Sequence, residues 1–262
     1  MIAPDSGLKA TPKAIPEAIP EAAPKAVPKA AMVLAAGLGR RMRPLTATRP
    51  KPLVEVAGRT LIDRALGTLK AGGVQEAVVN VHYMADRLEA HLAARPTEMR
   101  IHISDERAEL LETGGGITQA LPLINADPFL SINADNIWID GPVPAVELLA
   151  NRWRADQMDA LLLMVPLARA NCHRGQGDFH MDPMGRLRRR MPGRVAPFVF
   201  TGLQMLSKSL FQGEAPTPFS MNRLWDRAAI AGRLYGLVHQ GLWFDVGTAA
   251  AVRQTELLLG QY

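Results

Sequence analysis

Two glycines and a set of basic residues lie close together near the start of the sequence, in a pattern suited to binding phosphate. Gly37 and Gly39 follow an apolar run, Arg41 comes two residues later, and Lys51 stands between two prolines. Glycines let backbone amides approach anionic oxygens without side-chain obstruction, and arginine can bind a phosphate through two parallel hydrogen bonds. The pattern predicts a loop that binds a phosphorylated ligand, and a triphosphate fits this description.

The spacing of this loop differs from that of two familiar phosphate-binding motifs. It lacks the third glycine of the G-x-G-x-x-G dinucleotide fingerprint and the terminal Gly-Lys-Ser/Thr of the P-loop. A lone G-x-G is also typical of a simple turn, and Lys51 alone is compatible with an ordinary turn lysine. Taken by themselves, these residues leave both interpretations open.

A longer motif resembles the signature of a known enzyme family, the sugar-1-phosphate nucleotidyltransferases. Residues 37–46 read G-x-G-x-R-M-x-P-L-T, and Pro50-Lys51-Pro52 follows. In this family the loop holds a nucleoside triphosphate, and its arginine and lysine neutralise phosphate charge. The resemblance implies that Ala35, Gly37 and Gly39 bind the nucleotide. It also implies that Arg41 and Lys51 both bind it and take part in catalysis.

A second segment, Glu-Thr-Gly-Gly-Gly at residues 112–116, resembles the family's glycine-rich segment that packs against the nucleobase. Small residues at the start of a helix permit a flat ring to approach closely and place a positive helix end nearby. The resemblance makes Thr113 and Gly114 nucleotide-binding residues. Asn80, at the end of a predicted strand, offers both a donor and an acceptor to a pyrimidine or sugar edge. Loop hinges and a satisfied turn asparagine are the structural alternatives.

Two aspartates, Asp135 and Asp245, each end a strand-like segment. From the residues alone, either aspartate could equally cap a helix or a turn. The resemblance implies that both bind the Mg²⁺ that bridges the phosphates, because hard oxygen ligands suit this ion, and that Asp135 is catalytic. The family usually has glycine before the first aspartate, whereas this chain has Ala134.

The sugar side of the predicted site is less well marked. Gly177, Thr201 and Gly202 resemble residues that face the sugar, with β-bulge or turn roles as the alternative. Many relatives carry a Glu-Lys-Pro motif whose lysine contacts the sugar phosphate, and this chain has Arg-Met-Pro at residues 190–192 instead. The neighbouring arginines of the basic run are candidates to replace it, although an ordinary solvated strand or loop is the favoured explanation of that run. The run consists of Arg186, Arg188, Arg189, Arg190 and Arg194.

The elements that must position these residues alternate between strands and helices. Residues 31–36, 61–71 and 74–81 read as a β-α-β unit, and further strands are predicted at residues 100–104, 128–134 and 158–165. Helices are predicted near residues 85–93, 117–121, 145–155 and 218–231, with short strands around Phe179, Leu187 and residues 198–205. We therefore expect an α/β fold, a Rossmann-like, mainly parallel mixed sheet with helices on both faces. The family's glycosyltransferase-A-like fold agrees with this.

The composition of the chain excludes several classes of protein. The 262 residues are 48% hydrophobic and 21% charged, which excludes wholesale disorder. No run approaches the roughly 20 apolar residues of a membrane span, and the N-terminus lacks the apolar core of a secretory signal, so we expect a cytoplasmic protein without a membrane partner. The chain has one cysteine, which excludes an internal disulfide, and its sequence has no cluster of cysteines and histidines of the kind that binds structural zinc. The net charge of +5 with 5% aromatic residues does not favour nucleic acid.

The first 29 residues differ in composition from the rest. Prolines recur there every fourth position, among mostly alanines, lysines and glutamates, at Pro12, Pro16, Pro20, Pro24 and Pro28. Proline removes a backbone donor and disfavours helix at the preceding residue, so residues 1–29 are predicted to be a flexible tail without a core. Residues 30–262 are predicted to form a single nucleotidyltransferase catalytic domain.

The resemblance implies transfer of a nucleotidyl group from a nucleoside triphosphate to a sugar 1-phosphate, with release of pyrophosphate. The short core and the Glu-Thr-Gly-Gly-Gly-Ile, Gly-Asp-Phe and Leu-Trp-Phe-Asp-Val-Gly-Thr motifs most resemble members of this family that use UTP and N-acetylmuramic acid 1-phosphate, and this resemblance implies a role in cell-wall recycling. Guanylyl transfer to mannose or heptose 1-phosphate is the alternative. A sugar-nucleotide sensor subunit without catalysis is the alternative of another class. A monomer or a small homo-oligomer is expected.

Overall fold

The structure is a computed structural model that describes residues 27–95 and 99–260, in which strands and helices alternate up to about residue 160. The strands are β1 (Ala30–Leu34), β2 (Glu55–Val56), β3 (Arg59–Thr60), β4 (Glu76–Val81), β5 (Arg100–Asp105), β6 (Phe129–Asn133), β7 (Asn136–Ile139), β8 (Ala160–Pro166), β9 (Ala170–Asn171), β10 (Phe179–Met181), β11 (Leu187–Arg189), β12 (Phe198–Leu206), β13 (Leu234–Val238) and β14 (Leu242–Asp245). The helices are α1 (Leu61–Ala71), α2 (Ala85–Ala94), α3 (Glu112–Ala120), α4 (Ala145–Arg152), α5 (Asn222–Ile230) and α6 (Ala249–Leu259).

The main sheet is mixed, with the order β11-β10-β12-β6-β1-β4-β5, and β8 and β13 join it through β12. Strands β6, β1, β4 and β5 are parallel to one another, whereas β12 runs antiparallel to both β6 and β8. Parallel neighbours need crossover connections, which the helices between them supply. The predicted α/β fold is confirmed, and the antiparallel pairs lie in the half where the sequence loses its regular alternation.

Helices cover both faces of this sheet because alternate strand residues point to opposite sides. In β1, Ala31 and Val33 belong to a core cluster that includes residues of α1, α2 and α4. Ala30 and Met32 belong to a second cluster that includes residues of α3 and α5. The completely apolar strand is therefore buried on both faces, as expected for the centre of an α/β sheet.

The limits of α1 illustrate how far local sequence determines this fold. Thr60 precedes the helix, and its hydroxyl accepts a hydrogen bond from the Asp63 amide, while Gly72 ends the helix. Ile62, Leu66 and other residues at helical spacing are buried against the sheet. The predicted helix over residues 61–71 is confirmed at both ends.

A second, small sheet was not predicted. It has the order β7-β14-β9 and packs with a third core cluster that includes Met42 and Val252. The prediction also missed α6, which follows β14 directly. The glycine-rich segment at residues 112–116, for which both a helix start and loop hinges were considered, lies inside α3. The strands of the small sheet are short and residues 112–116 are glycine-rich, so their local patterns are weak, whereas α6 has 11 residues without glycine and was missed despite its length.

The described residues contain no helix that is both long enough and apolar enough to cross a membrane. Of the predicted tail, residues 1–26 lie outside the described residues, and the prediction made for them stays a prediction. Val27 packs against the first core cluster, and Pro28 is buried. The Lys29 carbonyl accepts hydrogen bonds from the amides of Gln75 and Glu76, so the ordered chain joins the sheet before β1 begins.

Candidate active site

A cavity of about 540 Å³ lies at the carboxyl ends of β1, β4 and β6. Residues 34–41, which end β1 and continue into the following loop, form one wall, and Asn80, Asp135, Lys51 and Thr113 contribute to the others. The ligand of an open parallel sheet binds at this edge because the strand ends and their loops converge there. The structure thus brings most of the predicted nucleotide-binding residues to one cavity.

The glycine loop has the conformation that its sequence predicts. Gly39 has a φ of 61°, and a β-carbon there would lie 2.9 Å from the Thr46 side chain and 3.0 Å from that of Lys51. The Thr46 hydroxyl donates to the Gly39 carbonyl at 2.9 Å, which fixes the turn. A β-carbon at Gly37 would meet nothing within 4 Å. Gly39 is therefore required by the loop itself, whereas the space above Gly37 is open to a ligand.

Asn80 holds the end of β1 from inside the protein. Its Oδ1 accepts hydrogen bonds from the amides of Ala35 at 2.6 Å and Ala36 at 3.3 Å. Its Nδ2 donates to Glu106 Oε1 at 2.7 Å. Glu106 is buried, which raises the pKa of its carboxyl, and it also accepts from the Leu111 amide. Asn80 lines the cavity as predicted, but both ends of its amide have protein partners. Contact with a base stays a prediction.

The glycine-rich segment packs mainly against the loop before α5. The amides of Gly114 and Gly115 donate to the Phe219 carbonyl at 2.8 and 3.2 Å, and the Thr113 hydroxyl accepts from the Met221 amide at 2.9 Å. A β-carbon at Gly114 would lie 2.2 Å from the Phe219 ring. Thr113 lines the cavity, whereas Gly114 lies behind its wall. The absence of side chains here lets α3 and the loop before α5 pack closely at the cavity edge.

Lys51 and Asp135 form the central ion pair of the cavity. Lys51 Nζ lies 2.5 Å from Asp135 Oδ2, and the two side chains are 12% and 31% exposed. Pro50 precedes a short helical turn at Lys51–Leu53 that directs the lysine side chain into the cavity. Asn136 Nδ2 donates to the other oxygen, Oδ1, at 3.1 Å. A buried cation and a carboxylate are thus held where the resemblance implies phosphate and metal chemistry.

Asp245 is brought beside Asp135 by the small sheet. In the antiparallel pairing of β7 with β14, Asp245 stands opposite Asn136, and the Val246 amide donates to the Asp135 carbonyl at 3.3 Å. His173 Nδ1 lies 2.9 Å from Asp245 Oδ2. His173 is not among the residues that the sequence motifs indicated. Its link to Asp245 spans 72 residues and depends on β9, a two-residue strand without a recognisable pattern.

A second cavity of about 330 Å³ shares Arg41 and Gly247 with the first and also contains Asp245, His173 and Arg174. Within the described ranges, neither Arg41 nor Arg174 makes a hydrogen bond or an ion pair with the protein. Unpaired guanidinium groups beside a cavity are suited to anionic oxygens. Arg41 was predicted to bind phosphate, and its position between the two cavities agrees with that prediction.

The three predicted sugar-facing residues lie outside the walls of both cavities. Gly177 accepts a hydrogen bond from Arg190 Nε through its carbonyl, at 2.8 Å. Thr201 is fully buried, and its hydroxyl donates to the Leu163 carbonyl at 2.9 Å. Gly202 packs against Asn133 within the irregular part of the β12–β8 pairing. These contacts are structural, and the sugar contacts stay predictions.

The basic run is largely engaged in internal contacts. Arg189 forms a two-pronged pair with Asp226, with distances of 2.6 and 2.8 Å. Arg190 binds the carbonyls of Gly177 and Arg194. Arg188 is exposed and lines neither of the two cavities. Arg174, which lies outside this run, lines the second cavity together with Asp245 and Arg41.

Comparison with known proteins identifies the class to which this fold and site belong. Residues 31–178 match the MobA-like NTP transferase domain, and the chain belongs to this family of nucleotidyltransferases. The resemblance stated from the sequence is thereby confirmed.

Two curated relatives are similar over most of their length. One is an N-acetylmuramate alpha-1-phosphate uridylyltransferase of Caulobacter vibrioides, 44% identical over 234 residues that cover 88% of this chain and 97% of the relative. An enzyme of the same name from Neisseria meningitidis is 36% identical over 234 residues, covering 88% and 99%. The crystal structure of HddC from Yersinia pseudotuberculosis has a TM-score of 0.71 with 21% identity, covering 88% of this chain and 99% of HddC. The last likeness supports the fold alone.

Proposed function

We propose that this chain transfers a uridylyl group from UTP to N-acetylmuramic acid 1-phosphate and releases pyrophosphate. The observation that carries the proposal is the arrangement of Lys51, Asp135 and Asp245 at the junction of two adjoining cavities. The names of the two curated relatives support the choice of UTP and of the muramic acid derivative. Such a donor is present in the cytoplasm, where we propose that the reaction takes place.

The larger cavity is the proposed nucleotide site. It is lined by Thr113 and Leu110 and by the glycine loop and Lys51. We assign the base to the Thr113 end and the triphosphate to the loop, where Gly37 leaves the backbone open. Asn80 supports this site from behind, because it holds the amides of Ala35 and Ala36 in place.

The donor set fits Mg²⁺, which prefers carboxylate oxygens and usually keeps several waters and substrate phosphates as ligands. The described residues contain no group of three or more His, Cys, Asp or Glu side chains suited to enclose a metal. Two carboxylates, Asp135 and Asp245, are therefore the proposed protein ligands. The ammonium of Lys51 on Asp135 Oδ2 indicates that this carboxylate attracts a cation. When bound, Mg²⁺ would stabilise the negative charge on the phosphates.

The chemistry requires positioning and charge neutralisation more than proton transfer. An acceptor phosphate with a second pKa of about 6 is already largely ionised at neutral pH, so no general base is needed. One of its oxygens attacks the α-phosphorus of UTP, the bond from this phosphorus to the bridging oxygen breaks, and pyrophosphate leaves. Lys51 stabilises the charge that develops at the α-phosphate, and Arg41 binds the departing phosphates.

Arg174 is the proposed substitute for the lysine that many relatives use on the sugar phosphate. It lines the second cavity next to Asp245 and has no protein partner among the described residues. The basic run is a weaker candidate because Arg189 and Arg190 are held by internal contacts. Two arginines and a carboxylate pair in adjoining cavities provide the charge that two phosphorylated substrates require.

The proposal is tested by measuring pyrophosphate release from all pairs of four nucleoside triphosphates with several sugar 1-phosphates. The series includes N-acetylmuramic acid, N-acetylglucosamine, glucose, mannose and heptose 1-phosphates. We expect UTP with N-acetylmuramic acid 1-phosphate to give the highest kcat/KM, by about tenfold or more, because a mispaired base leaves buried polar groups unsatisfied. Lys51→Ala, measured in parallel, assigns the activity to this site.

Other outcomes would change the assignment. Faster turnover of mannose or heptose 1-phosphate with GTP would contradict the proposal and favour a guanylyltransferase. Nucleotide binding without turnover of any pair would favour a sensor subunit.

A further inference from the structure

His173 is placed beside Asp245 by the way in which β9 joins β14. The two strands pair in parallel, with Asn171 opposite Phe244, and Asn171 Nδ2 donates to the Trp243 carbonyl at 3.0 Å. Cys172 then takes a left-handed backbone conformation with a φ of 62°. The chain turns at this point, and His173 lies against the end of β14.

The imidazole has one polar partner among the described residues, and it is Asp245. His173 Nδ1 lies 2.9 Å from Asp245 Oδ2, and the side chain is only 15% exposed. Its Nε2 is buried without a hydrogen-bond partner in the described ranges. The Trp243 ring packs 6.1 Å away, centroid to centroid. Because a carboxylate only accepts, the hydrogen of the imidazole belongs on Nδ1, and His173 donates to Asp245.

This contact determines which oxygen of Asp245 is available. Oδ2 is bound to His173, whereas Oδ1 lies on the side of Gly247, where the Arg41 guanidinium also lies. A β-carbon on Gly247 would lie 3.0 Å from Oδ1 and 3.4 Å from Arg41 Nη2, so glycine keeps this approach open. The open oxygen is therefore on the side that the two cavities share.

We propose that His173 is a positioning residue that fixes the Asp245 carboxylate so that Oδ1 is presented to the divalent cation. This inference rests on the proposed function, in which Asp245 is a metal ligand. His173 acts through Asp245, since its Nδ1 is bound to that carboxylate and its Nε2 is buried. A partner that orients a metal-binding carboxylate changes metal affinity by about 10- to 100-fold.

The experiment measures Mn²⁺ affinity by electron paramagnetic resonance of the free ion, with UTP present and no acceptor. Four variants are compared with the unaltered full-length chain: His173→Leu, His173→Asn, Asp245→Asn and His180→Leu. An asparagine amide can place a donor where Nδ1 stands, so it is the conservative variant. His180 lies on β10 and lines neither of the two cavities, so it serves as the matched control.

We expect His173→Leu to raise the Kd for Mn²⁺ about tenfold or more. His173→Asn should remain within about threefold of the unaltered protein, and His180→Leu should match it. In steady-state assays the same His173→Leu variant should need more Mg²⁺ for half-maximal rate, while its kcat at saturating Mg²⁺ recovers. A merely structural role would lower kcat at every Mg²⁺ concentration and would not be rescued by asparagine.

An unchanged Kd in His173→Leu, together with a raised Kd in Asp245→Asn, would overturn the role of His173 alone. An unchanged Kd in Asp245→Asn would overturn the metal assignment of the proposed function, and the inference with it. If His173→Leu fails to fold, His173→Gln decides the question, because its amide lies where Nε2 stands and is directed away from Oδ2. A Kd equal to that of the unaltered protein in that variant would also overturn the inference.

Discussion

Lys51 Nζ and Asp135 Oδ2 are 2.5 Å apart, in a contact that joins the loop after β1 to the end of β6 across 84 residues. The lysine stands on an oxygen of the carboxylate that we assign to Mg²⁺. It therefore balances the charge of Asp135 in the free protein and faces the position proposed for the α-phosphate. Because Lys51 is assigned to the α-phosphate and Asp135 to Mg²⁺, substitutions of the two residues should have different effects on kcat and on metal binding.

Lys51→Ala should lower kcat by about 100-fold or more, because it removes a cation directed at the charge that develops in the transition state. It should not weaken Mn²⁺ binding, since the removed ammonium competes with the metal for Asp135. Kinetics with UTP and titration with Mn²⁺ measure both quantities. Lys70→Ala, at an exposed position at the end of α1, is the control. A change confined to the KM for UTP would reassign Lys51 to ground-state binding.

Asp135→Asn and Asp245→Asn should each nearly abolish turnover while the fold persists. Each change removes one of the two carboxylates that would hold Mg²⁺, and the remaining one alone would bind the ion too weakly to support the reaction. Assays with Mg²⁺ and with a chelator measure the effect, and circular dichroism checks the fold. Asp226 lies on α5, and Asp226→Asn, which breaks the pair with Arg189 of β11, should retain activity. Full turnover of either site variant would remove that aspartate from the metal site.

Gly115→Ala and Gly37→Ala should separate stability from nucleotide binding. A β-carbon at Gly115 would lie 2.1 Å from the Thr217 carbonyl oxygen, and backbone cannot yield as a flexible side chain can. We expect the free energy of unfolding to fall, because overpacking costs about 1–3 kcal/mol and the gain in helix propensity offsets at most about 1 kcal/mol of it. Gly37→Ala should leave stability unchanged and raise the KM for UTP. Denaturant titrations and steady-state kinetics on both variants measure these effects. A raised KM for UTP in Gly115→Ala together with a loss of stability in Gly37→Ala would contradict the assignment.

His239 should make the protein less stable as the pH falls below about 6.5. Burial lowers the pKa of this histidine from its ordinary value of 6.5. Its Nε2 contacts the carbonyls of Ile139 and Leu242 at 3.2 Å each, and its Nδ1 is buried without a partner among the described residues. Protonation at Nδ1 is therefore unfavourable in the folded state, while the unfolded chain binds the proton freely.

The direction in which stability changes with pH follows from this difference in proton binding. Below pH 6.5 the unfolded state holds more protons, so acidification lowers the free energy of unfolding by at most about 1.4 kcal/mol per pH unit for this group. Urea titrations of the unaltered protein and His239→Gln at pH 7.5 and 5.5 isolate the contribution. Between pH 7.5 and 5.5 the unaltered protein should lose more of its free energy of unfolding than His239→Gln does. A stability difference that is independent of pH would contradict the prediction.

Removal of residues 1–26 should leave activity unchanged and the Tm within about 2 °C, because a segment with proline at every fourth position buries little apolar area. Removal of residues 1–29 should lower the Tm further. It deletes the buried Pro28, the packed Val27 and the Lys29 carbonyl that accepts from Gln75 and Glu76. Thermal unfolding of both truncations measures this, and an equally large loss in the shorter one would mean that residues 1–26 stabilise the catalytic body.

The sequence predicted those features of the molecule that depend on neighbouring residues. The helix at residues 61–71 follows from its capping threonine, its apolar spacing and the glycine at its end. The glycine loop and the strand end before Asp135 follow from short local patterns, and these give the nucleotide cavity most of its walls. The strand that ends at Asp245 was also apparent as an apolar run closed by an aspartate.

The tertiary structure determined which strand ends lie next to one another and which polar side chains remain free to bind a ligand. Asn80 was expected to face a base, but its amide is engaged by Ala35, Ala36 and Glu106. The link between His173 and Asp245 had no local signal at all. It depends on the register of β9 against β14, over a separation of 72 residues. Local patterns fix the path of the chain over a few residues, whereas contacts over such distances arise only when whole strands pair, and that pairing depends on the burial of the entire core.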